Sequence, residues 1–83
     1  MTFTVVWEPV AVDVATRFLA DDPEGLRELF AAVDALAEEP RPPQAFPLGS
    51  SGLYRVRVGR YRAVYQVDEA ERTVKVRHVG RRP

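Results

Sequence analysis

With 83 residues, 46% of them hydrophobic, the chain suffices for one core and reads as a single domain over residues 1–83, because a chain near this length buries only about 60% of its unfolded surface. Cysteine is absent and histidine occurs once, which excludes disulfides, thiol catalysis and a Cys/His zinc cluster; no cofactor is expected. The formal net charge of zero conceals a segregation: residues 1–40 hold two arginines against nine acids, a net of −7, and residues 41–83 hold nine arginines and Lys75 against three acids, a net of +7.

The N-terminus MTFTVVWEP has no basic region ahead of an apolar stretch, and no apolar run approaches the roughly 20 residues of a membrane span, so a cytoplasmic protein without membrane contact is expected. Thr2–Trp7, with Phe3, Val5, Val6 and Trp7 beside β-branched neighbours, predicts a strand that Pro9 stops. Proline fits the first turn of a helix, and Val10, Ala11, Val14, Ala15 and Phe18 form a stripe over a helix from Pro9 to about Ala20. Asp22-Pro23 repeats the start signal, with Asp22 as N-cap and Pro23 in the first helical position. Leu26, Leu29, Phe30, Val33 and Leu36 follow at helical spacing until Glu38 and Glu39 end the helix before Pro40. So short a joint makes the two helices an antiparallel hairpin. The six prolines and glycines from Pro40 to Gly52 predict a loop.

At Leu53 the period changes from helical to alternating. Tyr54, Val56 and Val58 share one face, and Leu53, Arg55 and Arg57 the other. Gly59-Arg60 offers a two-residue turn with glycine first, the type II′ signature, which sets Val58 opposite Tyr61, Arg57 opposite Arg62 and Arg55 opposite Val64. Tyr61, Ala63, Tyr65 and Val67 continue the apolar face, so Tyr61 and Tyr65 point toward the helices rather than a ligand. Asp68–Arg72 turns the chain again, and Thr73–Val79 alternates, with Val74 and Val76 in one phase and Lys75 and Arg77 in the other. His78 falls in the phase of the valines, which predicts a partly buried histidine at the strand end, while a slight twist or bulge there would turn it toward the basic cluster near Arg82. The expected architecture is α+β: an N-terminal strand, an antiparallel helical hairpin, then a three-stranded antiparallel meander with the helices on one face.

This register collects Arg55, Arg57 and Arg62 on one face of two adjacent strands, with Lys75 and Arg77 placed to join them. Like charges directly opposite on a sheet destabilise it by about 0.2–1 kcal/mol per pair. One reading is a solvated face whose arginine stems cover apolar surface. The favoured reading is a face that accepts a polyanion, most directly a nucleic-acid backbone, with Gln66 available for base edges; arginine's planar fork suits phosphate better than lysine does.

The stretch LYRVRVGRYRAVYQVDEAERTVKVRHVGRRP resembles the C-terminal half of RelE/ParE-superfamily toxins of bacterial type II toxin–antitoxin pairs. Their pattern is a basic strand, a glycine turn, Tyr-Arg-hydrophobic-hydrophobic-Tyr, an acidic turn, and a last strand ending in Gly-basic-Arg. The earlier strand and helical hairpin agree with the family in order and length and carry no diagnostic motif. With the RelE-like branch favoured, the resemblance implies a toxin that enters the ribosomal A site and cuts mRNA without a metal, the ribose 2′-hydroxyl attacking the adjacent phosphate. It also implies a cognate antitoxin as partner, alongside ribosome and mRNA. By motif, Arg55 and Arg57 match the family's two basic strand residues, Arg62 the arginine of the Tyr-Arg pair, and Arg82 the arginine after the terminal Gly-basic pair.

These arginines can hold the scissile phosphate and offset charge developing on it. Arginine stays charged near neutral pH and cannot carry a proton. Many relatives supply a tyrosine or histidine a few residues past the last arginine, where this sequence has reached Pro83; His78 is the one side chain of a type that titrates near neutrality. The expected catalytic set is therefore Arg55, Arg57, Arg62, Arg82 and His78. The expected RNA-contacting set is Arg55, Arg57, Arg62, Gln66, Lys75, Arg77 and Arg81. Two alternatives use the same residues: a non-catalytic inhibitor of a protein target, such as DNA gyrase in the ParE branch, and a degenerate relative that binds antitoxin or RNA without toxicity.

Overall fold

The computed structural model describes residues 2–83, and in it the first strand, β1, is Thr4–Trp7, shorter at its start than the alternation predicts. Phe3 serves the core instead: its N–H donates to the Ala37 carbonyl at 2.8 Å, and its buried ring carries the Arg72 guanidinium 4.8 Å from the centroid. Helices α1 (Pro9–Asp21) and α2 (Pro23–Ala35) both start on proline and meet at Asp22. Its carboxylate accepts from the Gly25 N–H at 3.2 Å, the N-cap expected from the sequence. Helix α2 ends at Ala35, ahead of the two glutamates, and the chain leaves it through turns over 36–38. Ala11 and Ala15 are buried and Val14 and Phe18 half-buried, whereas Val10, in the first turn of α1, reaches past the core and is 60% exposed.

One sheet of five strands, in the order β1–β5–β4–β3–β2, holds the meander of β3 (Leu53–Val58), β4 (Tyr61–Asp68) and β5 (Thr73–Arg81). β1 lies parallel to β5, Val5 opposite Val74 and Trp7 opposite Val76, and the helical hairpin carries the chain from β1 to the opposite side of the sheet, where β2 and β3 lie. The remaining strand, β2, is Phe46–Pro47, inside the segment expected to be loop, with Phe46 opposite Arg55. Two residues show no alternation, and the proline keeps this edge from templating further pairing. Leu26, Leu29, Val33 and Leu36 of the helical hairpin are buried with Val56, Tyr65, Val74, Val76 and Val79 of the sheet. Tyr65 donates to the Pro40 carbonyl at 2.8 Å, and burial pushes its hydroxyl up to about 12.

The β3–β4 hairpin has the expected register, with Gly59 at φ +60° in its turn. The β4–β5 pair does not keep strict alternation. Tyr65 faces Val76, yet Val64 faces His78 and Ala63 faces Val79, which leaves Arg77 unopposed as a bulge. Beyond it the phase reverses, so Val79 and Arg81 turn to the helices and His78 and Gly80 to the open face. The expected burial of His78 is overturned: the histidine is exposed and Val79 is 1% exposed. Valine gains from burial what an imidazole loses, and one extra residue exchanges them.

Candidate nucleic-acid interface

Residues opposite one another in a sheet share a face, so the register writes the open face as rows. Arg57, Arg62 and Gly80 form one row. Phe46, Arg55, Val64 and His78 form the next, across four strands. Leu53, Gln66, Lys75 and Val6 form a third.

Gly80 shows how Arg62 is held. A methyl group built on Gly80 would lie 3.1 Å from Arg62 Cζ and 3.2 Å from both Nε and Nη2, near-equal distances that set the guanidinium face-on to bare backbone. Arg57, Gly59, Arg60, Tyr61, Arg62 and Arg82 line a small open pocket at the end of this row. The Arg82 N–H donates to the Arg60 carbonyl at 2.7 Å and brings the terminal arginine to the turn. Tyr61 donates to Asp22 at 2.7 Å, fixing the start of β4 against the corner between the helices. That bond, with the Gly25 N–H, holds the Asp22 carboxyl below its ordinary range.

Among the described residues, carboxylates within 4.0 Å are found for four arginines only: Arg41 and Arg72 with Glu69, Arg77 with Glu8, and Arg81 with Asp21. None of the four stands in the rows of Arg55, Arg57 and Arg62, and those three, with Arg60, Arg82 and Lys75, have no such partner. The basic face is therefore uncompensated.

Of the residues expected to form the site, the fold gathers Arg55, Arg57, Arg62 and His78 on one face and adds Arg82 at the turn. His78 is a diagonal neighbour of Arg62, a relation that spaces backbone positions by about 7–8 Å. Lys75 stands in the third row. Gln66, beside it, donates its amide to the Ser51 carbonyl at 3.0 Å and is tied to the preceding loop. Arg77, at the bulge, reaches Glu8 at 3.4 Å instead of joining the cluster. Arg81 lies on the helix side, 2.6 Å from Asp21 and over the Phe18 ring at 4.6 Å. Three participants escape sequence reasoning: Arg60, hidden in a turn; Gly80, whose position inside a strand is itself a sign of close approach; and Phe46, which carries no local signal. Among the described residues no three His, Asp or Glu side chains converge to hold a metal ion, and no helix is long and apolar enough to cross a membrane.

A family model for the ParE toxin of the type II toxin-antitoxin system, parDE, matches residues 13–83. The RelE1 protein of Methanocaldococcus jannaschii is 30% identical over 79 residues, covering 86% of this chain and 88% of its own. Among solved structures, a chain of the archaeal RelE–RelB complex from Pyrococcus horikoshii aligns with a TM-score of 0.85 and 26% identity over 99% of this chain and 97% of that one. A chain of the toxin–antitoxin complex RelBE2 from Mycobacterium tuberculosis aligns with a TM-score of 0.83 and 25% identity over 99% and 93%.

Proposed function

The chain belongs to the RelE/ParE superfamily of type II toxin–antitoxin toxins, and from that premise we propose that it acts as a ribosome-dependent mRNA endonuclease in the cytoplasm, held in check by a cognate antitoxin. The observation that carries this reading is the opposed pair Arg57 and Arg62, kept without a carboxylate partner and flanked by Arg55 and Arg82. A phosphate between these guanidiniums converts their repulsion into charge-assisted hydrogen bonds.

In the proposed reaction a ribose 2′-oxygen attacks the adjacent phosphorus while the bond to the next nucleotide's 5′-oxygen breaks. The products are a 2′,3′-cyclic phosphate and a 5′-hydroxyl. Arg57, Arg62 and Arg82 hold the non-bridging oxygens as negative charge grows on them. One proton leaves the 2′-hydroxyl and one reaches the 5′-oxygen, work for His78 rather than for arginine. The antitoxin reading draws support from relatives solved as toxin–antitoxin complexes. It also suits α1, where Val10, Val12 and Leu19 are 60%, 44% and 39% exposed and open to an amphipathic segment.

Inducible expression, with mRNA 5′ ends mapped and the supercoiling of a reporter plasmid followed in parallel, tests the proposal. Growth arrest with new 5′ ends inside translated frames and unchanged supercoiling is expected, and co-expression of a small protein encoded next to the toxin should abolish both effects. The matching family model carries the ParE name, which favours protein-target inhibition as the second reading. Altered supercoiling without new 5′ ends selects it.

A further inference from the structure

Phe46 is the one exposed aromatic residue among the described residues, at 56%. It stands opposite Arg55, whose guanidinium lies 4.9 Å from the ring centroid. The guanidinium lies over one side of the ring, β2 is the last strand of the sheet, and Phe46 stays more than half exposed, which leaves ring surface for a ligand. Arg55 Nε is buried and has no hydrogen-bond partner among the described residues. A charged donor enclosed without an acceptor is costly, so the Arg55 side chain is held against the ring by packing rather than by a hydrogen bond.

We propose that Phe46 and Arg55 form a nucleobase subsite, in which an unpaired base of single-stranded RNA stacks on the open side of the Phe46 ring and the Arg55 guanidinium, on its other side, stays in place as the ring's cationic backing. The inference rests on the RNA-cleaving reading above and adds the place where the substrate's base is gripped. The row of Arg57 and Arg62 is two residues away along β3, about 7 Å at strand rise, so the phosphate row and the ring lie within reach of neighbouring groups of one strand. An apolar protein segment suits this corner poorly, because covering Phe46 would enclose the unpaired Arg55 and crowd Arg57. A base brings a flat face and its own phosphate together.

Short single-stranded oligoribonucleotides carrying 2-aminopurine at successive positions, titrated at low salt with the full-length chain, test the subsite. The wild-type chain should quench the fluorophore at one position. Phe46→Ala should abolish the quench and weaken binding about 5- to 150-fold, the range for one base–aromatic stack. Phe46→Trp should retain both, and Phe46→Leu, which keeps an apolar side chain without a π face, should behave as the alanine variant. An abasic nucleotide at the quenched position should weaken wild-type binding by the same factor and leave Phe46→Ala unchanged. With the ring more than half exposed, all variants should melt close to the wild type. Wild-type affinity in Phe46→Leu, or a quench that persists in Phe46→Ala, overturns the subsite alone when Arg62→Ala still weakens binding. A wild-type chain with no affinity for the oligomer overturns both the subsite and the RNA reading beneath it.

Discussion

Replacing Gly80 by alanine adds one methyl group where the Arg62 guanidinium rests. The added carbon would stand 3.1 Å from Cζ and 3.2 Å from Nε and Nη2, and because ordinary contact begins near 3.4 Å the guanidinium must recede by a few tenths of an ångström. The atoms that yield are the far end of a flexible, exposed side chain, and Gly80 is not among the glycines at positive φ, so the backbone accepts the substitution. Glycine to alanine at such a position stabilises by about 0.4–1 kcal/mol through the unfolded chain. At about 4–8 °C per kcal/mol for a domain of this size, Tm should stay level or rise by a few degrees. Activity should move the other way. A misplacement of about 1 Å can cost about 100-fold in rate, and a few tenths at a bidentate phosphate contact should cost about 10-fold. Calorimetry and mRNA cleavage in a translating extract read the two effects. Gly49 supplies the control: at φ +79° with open space around its missing side chain, Gly49→Ala should lower Tm and leave cleavage at wild-type level once folded. Wild-type cleavage by Gly80→Ala, or a Tm loss as large as that of Gly49→Ala, would refute the cradle.

Arg62→Ala should remove most growth arrest at matched expression while stability stays level or gains about 0.2–1 kcal/mol from lost repulsion; Arg62→Lys should recover only part of the arrest, and full toxicity in both variants removes the nucleic-acid reading of the face. His78→Ala should lower cleavage by about 100- to 10,000-fold with ribosome binding retained, the signature of a proton carrier, whereas an unchanged rate leaves the histidine without a chemical part. Asp21→Asn should destabilise by no more than about 1 kcal/mol, since the Asp21 end of its bridge to Arg81 is exposed, and the difference should close in high salt during urea unfolding. Because Tyr61 holds the Asp22 carboxyl below its unfolded value, the unfolded chain binds more protons as pH falls, so this contribution is complete above about pH 4 and fades in acid. The stability deficit of Tyr61→Phe should shrink between neutral and acid pH, and a constant deficit argues against the linkage.

The parts of the fold that could be read from the sequence are those set by short-range chemistry. Gly59-Arg60 fixes its turn, the turn fixes the register, and Arg57 opposite Arg62 follows without reference to the rest of the chain. Asp22-Pro23 likewise starts α2 through a hydrogen bond three residues long. The β1 partner could not be read this way, because Val5 meets Val74 through the assembled core and no local pattern names its neighbour. The bulge is open to sequence reasoning only as an alternative to strict alternation. Val76 and Val79 are both apolar and three residues apart, so one of the pair Arg77-His78 had to be surplus. Phe46 illustrates the opposite case, where a two-residue strand at an edge leaves no period and only the partner strand reveals its place.

The segregated charge also divides by function. Glu8 and Asp21, from the acidic half, engage Arg77 and Arg81, and Asp22 takes the Tyr61 hydroxyl, so these acids fasten the helical hairpin to β4 and β5. None comes within 4.0 Å of Arg55, Arg57, Arg62 or Arg82, so the open face keeps its full charge. The bulge at Arg77 makes both outcomes depend on one residue. By reversing the phase it delivers Arg81 to Asp21 on the helix side and, in the same step, His78 to a position diagonal to Arg62 and Gly80 to a position beneath its guanidinium. The packing of Val79 is thereby tied to the placement of His78. A change in the core that released the bulge would bury the histidine, withdraw the cradle from Arg62 and break the Arg81 bridge together, even though it touched none of the basic residues.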